Sequence, residues 1–243
     1  MAGIKTPLLL VHGACHGAWC WRDVLPELAA RGIAARAIDL PGRGDDPTPH
    51  VDVTLDAQAE AIVSAARETG GRVALVGHSM GGYPITAAAM RAPQAIDRLI
   101  YLCAYLPESG RSLVDMRRAG PSQPLLPALR RGADGASFTF ADDWLERVFY
   151  HDCSPGTLEY ARAHLVAEPT LPQTTPLELT PELDRIEAHY IICTDDRTIP
   201  PDYQRHMSRH LPRARVSELP SSHSPFFAMP EALAGRIAQI LGD

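Results

Sequence analysis

The stretch "LVGHSMGGYP", residues 75–84, decides how the rest of the chain reads. An apolar run ends at Gly77, and one hydroxyl, Ser79, follows between His78 and Met80, with Gly81 and Gly82 next. The pattern is G-x-S-x-G. Between a strand and a helix it forms a sharp turn that presents a serine hydroxyl at the carboxyl edge of a sheet. Glycines flank such a turn because side chains there would collide. Residues 72–77 predict the strand and residues 80–91 the helix. A glycine-rich turn with an incidental serine would not account for strand, motif and helix together. The Met80 N–H opens the helix and points to where an oxyanion would form.

Further strands are predicted at 8–11, 35–40, 99–104, 189–194 and 216–219, and further helices at 19–31, 54–68 and 230–241. Residues 8–11 are unbroken apolar, as in a strand covered on both faces. Gly32 ends the first helix, "PGRG" halts the second strand, and Thr54 is a candidate cap. This alternation predicts an α/β fold, a mostly parallel sheet of about six strands with helices on both faces. It breaks once. Residues 1–106 and 186–243 are therefore expected to form the core, and residues 107–185 an inserted cap. The insertion is rich in proline and glycine. It also has amphipathic pieces at 142–150 and 157–165, and aromatics (Phe138, Phe140, Trp144, Phe149, Tyr150) that a linker would lack.

The chain has 243 residues, 45% of them hydrophobic, enough for one sizeable core. Its net charge of −6 with no basic block argues against a nucleic-acid or polyanionic partner. No apolar run is long enough for a bilayer, and the start lacks the pattern of a signal peptide, so the expected location is cytoplasmic. Five scattered cysteines suggest neither a disulfide framework nor a zinc site, and four read as small core residues.

A serine hydroxyl is a weak nucleophile and needs a base. In folds with this elbow the partners follow in the order serine, acid, histidine. His223, in "LPSSHSPFF", lies after the last strand and before the closing helix. His206 and His210 sit among arginines and read as surface. His78 is inside the turn, His151 and His164 fall in the insertion, and His189 precedes the acid. "IICTDDRTIP" offers Asp195 and Asp196 as the acid, and distance from the strand does not choose between them. The loop after the first strand, "VHGACHGAWCW", offers the Ala14 N–H as a second oxyanion donor. Cys15 and His16 are pocket candidates there, with Tyr83, Trp144 and Phe149 from elsewhere. Cys15 is also an alternative nucleophile.

Together "LLLVHGACHGAWCW", "VGHSMGG", "LIYLCAYLPESG", "DCSPGTLEYARAHL", "YIICTDDRTIPPDYQRHM" and the late His223 resemble the methylesterase and hydroxynitrile-lyase branch of the α/β-hydrolase superfamily. The tail "LPSSHSPFFAMPEALAGRIAQIL" resembles bacterial carboxylesterases of that branch, pyrethroid-hydrolysing ones included. The resemblance spans nearly the whole chain and is weakest at about 118–149. It implies that Asp196 rather than Asp195 completes a triad with Ser79 and His223, and that Ala14 and Met80 are the oxyanion donors. It implies no metal and no organic cofactor.

Hydroxynitrile lyases of the branch carry a lysine directly after the histidine and a threonine on the oxyanion loop. Ser224 and Ala14 stand there instead, which favours hydrolysis. The expectation is a serine carboxylesterase, monomeric or homodimeric, acting on a small to medium hydrophobic ester. The alternatives are a hydroxynitrile lyase or lactonase on the same fold, or a non-catalytic receptor or carrier.

Overall fold

The computed structural model describes residues 6–44 and 46–242. Part of the stretch bearing on a signal peptide, residues 1–5, lies outside them. The first half alternates β1 (Leu8–Val11), α1 (Val24–Ala30), β2 (Ala35–Ile38), α2 (Leu55–Glu68), β3 (Val73–His78), α3 (Gly82–Arg91) and β4 (Ile96–Leu102). An irregular stretch then holds α4 (Leu113–Ala119), β5 (Leu129–Arg131), β6 (Ser137–Phe140), α5 (Asp142–Leu145), α6 (Thr157–His164), β7 (Glu168–Pro169) and α7 (Leu171–Thr174). The chain closes with β8 (Glu187–Cys193), α8 (Pro201–Ser208), β9 (Val216–Leu219), α9 (Pro225–Ala228) and α10 (Pro230–Leu241).

Six strands form one parallel sheet in the order β2-β1-β3-β4-β8-β9. Both faces are apolar. In β1, Leu9 and Val11 turn to one side, against Ile62 and Val63 of α2 and Ile85 of α3. Leu8 and Leu10 turn to the other, against Leu28 of α1 and Ile237 of α10. Each such side chain contributes about 1.5–3 kcal/mol on leaving water. Two-sided burial therefore requires an unbroken run such as "LLLV", in which all four residues are buried.

The strand order places the site. From β1 the chain moves outward to β2, then crosses back to β3 and continues the other way. The loops after β1 and β3 thus diverge from neighbouring strands, and a crevice opens at the carboxyl edge between them. The β1 loop begins at His12 and the β3 turn carries Ser79.

Two predicted helices start later than expected. Residues 18–21 form a 3₁₀ turn before α1, and residues 79–81 one before α3. Pro26 and Pro84 explain both. Proline lacks an N–H and fits a first helical turn but not an interior. Thr54 caps α2 as expected, accepting from the Ala57 N–H at 3.0 Å. Residues 142–150 are α5 followed by a π-helical turn that buries Val148, Phe149 and Tyr150. The antiparallel sheet β5-β6-β7 was not foreseen. Among the described residues no helix is long and apolar enough to cross a membrane.

Candidate active site

Ser79 has φ +54°, in the left-handed region that disfavours residues bearing a Cβ. Cys15, after β1, has φ +62°, and Cys103, after β4, has φ +35°. These are the non-glycine residues with positive φ among those described, and each follows the carboxyl end of a strand of the main sheet. Strain of this kind persists only when its surroundings impose it. At Ser79 the constraint is close packing. A Cβ on Gly77 would lie 2.6 Å from the Gly81 carbonyl oxygen, and one on Gly13 would lie 3.0 Å from the Ser79 Cβ.

His223 follows β9 and is buried. Its Nδ1 donates to Asp196 Oδ2 at 2.7 Å. Asp196, after β8, is buried too, and both its oxygens are engaged. Oδ1 accepts from the Thr198 and Ile199 N–H groups at 2.7 and 3.0 Å, and Oδ2 also accepts from Gln204 Nε2 at 2.9 Å. Gln204 is fixed in turn, because its Oε1 accepts from the Cys193 N–H and its Nε2 also donates to the Ile199 carbonyl. The carboxylate therefore acts only as an acceptor and sets the imidazole with its proton on Nδ1. Asp195 is exposed, and its N–H donates to the Ser221 carbonyl.

Ser79 and His223 line one chamber together with Ala14, His16, His78, Leu125, Phe140 and Phe149. Its volume is about 20 Å³. His78 Nε2 donates to the His223 carbonyl at 2.8 Å and steadies the histidine loop. Burial holds its pKa well below the ordinary value, with the nearby His223 adding to the shift. Burial likewise lowers His16 to about 4 and His12 to about 3. All three are neutral at pH 7, so the chamber carries no fixed cation from them.

The β1 loop is pinned on both sides of Ala14. His12 Nε2 accepts from the Leu40 N–H at 3.2 Å, which leaves Nδ1 to donate to the Gly13 carbonyl at 2.9 Å. A trans peptide sets its C=O and N–H in opposite directions. Fixing the Gly13 oxygen therefore fixes the direction of the Ala14 N–H. His16 Nδ1 donates to the Ala14 carbonyl at 2.8 Å, and His16 Nε2 accepts from the Tyr150 hydroxyl at 2.7 Å. Across the crevice, Met80 lies in the first turn after Ser79, where an N–H has no carbonyl one turn behind it.

The structure thus brings Ser79, His223, Ala14, His16 and Phe149 to one chamber, with Met80 beside Ser79 and Asp196 behind His223. Tyr83 and Trp144 do not line it. Tyr83 is buried in the core cluster that also holds Met80 and Tyr105, and its hydroxyl donates to the Arg111 carbonyl, while Trp144 lies beside the Arg147 guanidinium. Cys15 lines a neighbouring cavity of about 210 Å³. Burial, and then the Glu168 charge, push its thiol pKa well up, which disfavours the nucleophilic thiolate. Leu125, Phe140 and Gln204 were not singled out as site residues from the sequence. Phe140 appeared there only among the insertion's aromatics.

Residues 8–236 match the family described as the alpha/beta hydrolase family. The chain belongs to that family. It is 29% identical over 254 residues to Methylesterase 2 of Arabidopsis thaliana, covering 97% of this chain and 96% of that protein. It is 31% identical over 242 residues to the pyrethroid hydrolase of Sphingobium wenxiniae, covering 96% and 86%. Among solved structures, a pyrethroid hydrolase from Sphingobium faniae JZ-2 superimposes with a TM-score of 0.86 at 29% identity, over 97% of each chain. These relatives place this α/β-hydrolase in the branch that holds the methylesterases.

Proposed function

We propose that this α/β-hydrolase is a serine carboxylesterase that cleaves a small to medium hydrophobic ester through an acyl-enzyme. The observation that carries this reading is the buried Asp196–His223 hydrogen bond behind a chamber that His223 shares with the strained Ser79. His223 Nδ1 keeps its proton, so Nε2 is free to act as base. Ser79 Oγ loses its proton to Nε2 and attacks the ester carbonyl. The carbonyl oxygen becomes an oxyanion held by the Ala14 and Met80 N–H groups. As the tetrahedral species collapses, His223 returns the proton to the departing alkoxide, and the alcohol leaves. A water molecule, deprotonated by His223, then attacks the acyl carbonyl, and the acid leaves as Ser79 regains its proton. Asp196 stabilises the imidazolium without taking its proton.

Relatives named as methylesterases and as a pyrethroid hydrolase support ester cleavage. Residues 107–185 act here as a cap over residues 1–106 and 186–243. Leu125, Phe140 and Phe149 of the cap supply apolar walls. A chamber of about 20 Å³ holds roughly one water molecule, so the cap side chains move to admit an ester. The test is turnover of p-nitrophenyl acetate and butyrate. Wild type hydrolyses both, and Ser79→Ala, folded by circular dichroism, loses at least about 10³-fold in kcat/KM. A Ser79→Ala variant as fast as wild type would overturn the reading.

A further inference from the structure

The Ala14–Cys15 peptide is held by a group from the cap. The Cys15 N–H donates to Glu168 Oε2 at 2.8 Å, and the Cys15 carbonyl accepts from the Val166 N–H at 3.1 Å. Residues 166 and 168 thus clamp both backbone groups of a residue whose φ of +62° is unfavourable by itself. Glu168 is wholly buried, and its charge is met by Arg43, also buried, from the loop after β2. Arg43 Nη1 also donates to the Ala167 carbonyl at 2.8 Å. Three segments distant in sequence therefore meet at one carboxylate.

We propose that Glu168, held by Arg43, is a positioning residue for the oxyanion loop: by taking the Cys15 N–H it keeps the Ala14 N–H turned to the chamber. The inference rests on the esterase reading above, with Ala14 as an oxyanion donor. The geometry works through two successive peptides that meet at the Ala14 Cα: the Gly13 carbonyl, held by His12, sets the plane of the Ala14 N–H, and Glu168 sets the next plane. Glu168 draws the Cys15 N–H one way, so the Ala14 carbonyl points the other way, onto His16 Nδ1. Without an acceptor the buried Cys15 N–H would be unsatisfied, and this peptide would turn to find one. That rotation would carry Ala14 out of its place. An ion pair this deeply buried contributes little net stability compared with apolar residues of similar volume. Fixing the loop gives the pair a function that stability does not.

The test compares wild type with Glu168→Gln and with the double variant Arg43→Met/Glu168→Leu. The glutamine keeps a side-chain oxygen for the Cys15 N–H. The double variant removes acceptor and both charges but retains volume. For each, kcat and KM are measured with p-nitrophenyl butyrate, together with inhibition by an aryl trifluoromethyl ketone, which forms a tetrahedral oxyanion on the serine. The double variant should lose about 10²–10³-fold in kcat, the loss typical of one oxyanion donor. Its KM should stay within about three-fold, and the ketone should weaken in parallel with kcat. Glu168→Gln should recover at least about ten-fold of that loss. A role in stability alone would move melting temperature without this pattern. If the double variant does not fold, Glu168→Asp replaces it, since it keeps the charge but withdraws the acceptor by one methylene.

A folded variant lacking the acceptor, with kcat and ketone affinity unchanged, would overturn the proposal while leaving the esterase reading intact. A wild-type activity that survives Ser79→Ala would overturn both.

Discussion

Asp196→Asn tests the hydrogen-bond arrangement behind His223. The carboxylate meets four donors: the Thr198 and Ile199 N–H groups on Oδ1, and Gln204 Nε2 and His223 Nδ1 on Oδ2. Asparagine has one oxygen and one NH₂. The two backbone donors cannot change character, so the oxygen stays with them and the NH₂ faces Gln204 and His223. Gln204 cannot readily present its oxygen instead, because that oxygen accepts from the Cys193 N–H. The imidazole then becomes the acceptor at Nδ1 and carries its proton on Nε2, where the base is required. Loss of the correct tautomer together with the imidazolium's partner is expected to reduce kcat about 10⁴-fold, or about 5.5 kcal/mol of transition-state stabilisation. The assay is steady-state hydrolysis of p-nitrophenyl butyrate from pH 6 to 10, with circular dichroism as a check on folding. A folded variant within about ten-fold of wild type at pH 7 would refute the argument.

Asp195→Asn should stay within about three-fold of wild type in kcat/KM, since Asp195 is exposed and only its backbone N–H reaches the histidine loop. Wild type should release no cyanide above buffer background from mandelonitrile, measured colorimetrically. The residues lining the chamber include no lysine or arginine, and Ser224 follows the histidine. Stability should fall in acid. His12, His16 and His78 have folded pKa values below their ordinary value of 6.5, so the unfolded chain takes up protons first. The stabilisation is fully present above pH 6.5 and is lost as pH drops towards the folded values. For His16, down to about pH 4, this amounts to about 3 kcal/mol, readable as a falling urea midpoint between pH 6.5 and 4.

The sheet was legible in the sequence because two-sided burial leaves an unmistakable trace. "LLLV" and "VALVG" have no polar face to hide, and their spacing with helices permits few topologies. The helix starts at Val24 and Gly82 were missed because apolar spacing masked the effect of Pro26 and Pro84. The small sheet of residues 129–169 left little signal. Its strands have three, four and two residues, and Arg130 and Arg131 are exposed. Ser79 and His223 stood out because each needs a local setting that sequence shows, a glycine-flanked turn or a loop before the closing helix. Gln204 and the Arg43–Glu168 pair did not. Arg43 and Glu168 lie 125 residues apart, and no local pattern marks either of them. Tyr83 was expected in the pocket, but α3 buries it in the core, where its hydroxyl donates to the Arg111 carbonyl.

Covalent labelling shows whether Ser79 is the nucleophile. The protein would be treated with a fluorophosphonate at pH 7.5, digested, and the adduct located by tandem mass spectrometry. One adduct per chain is expected, on Ser79 in the peptide containing "GHSMGG", and none after His223→Ala or with heat-unfolded protein. An adduct on Cys15, or labelling of Ser79 that persists undiminished in His223→Ala, would contradict it.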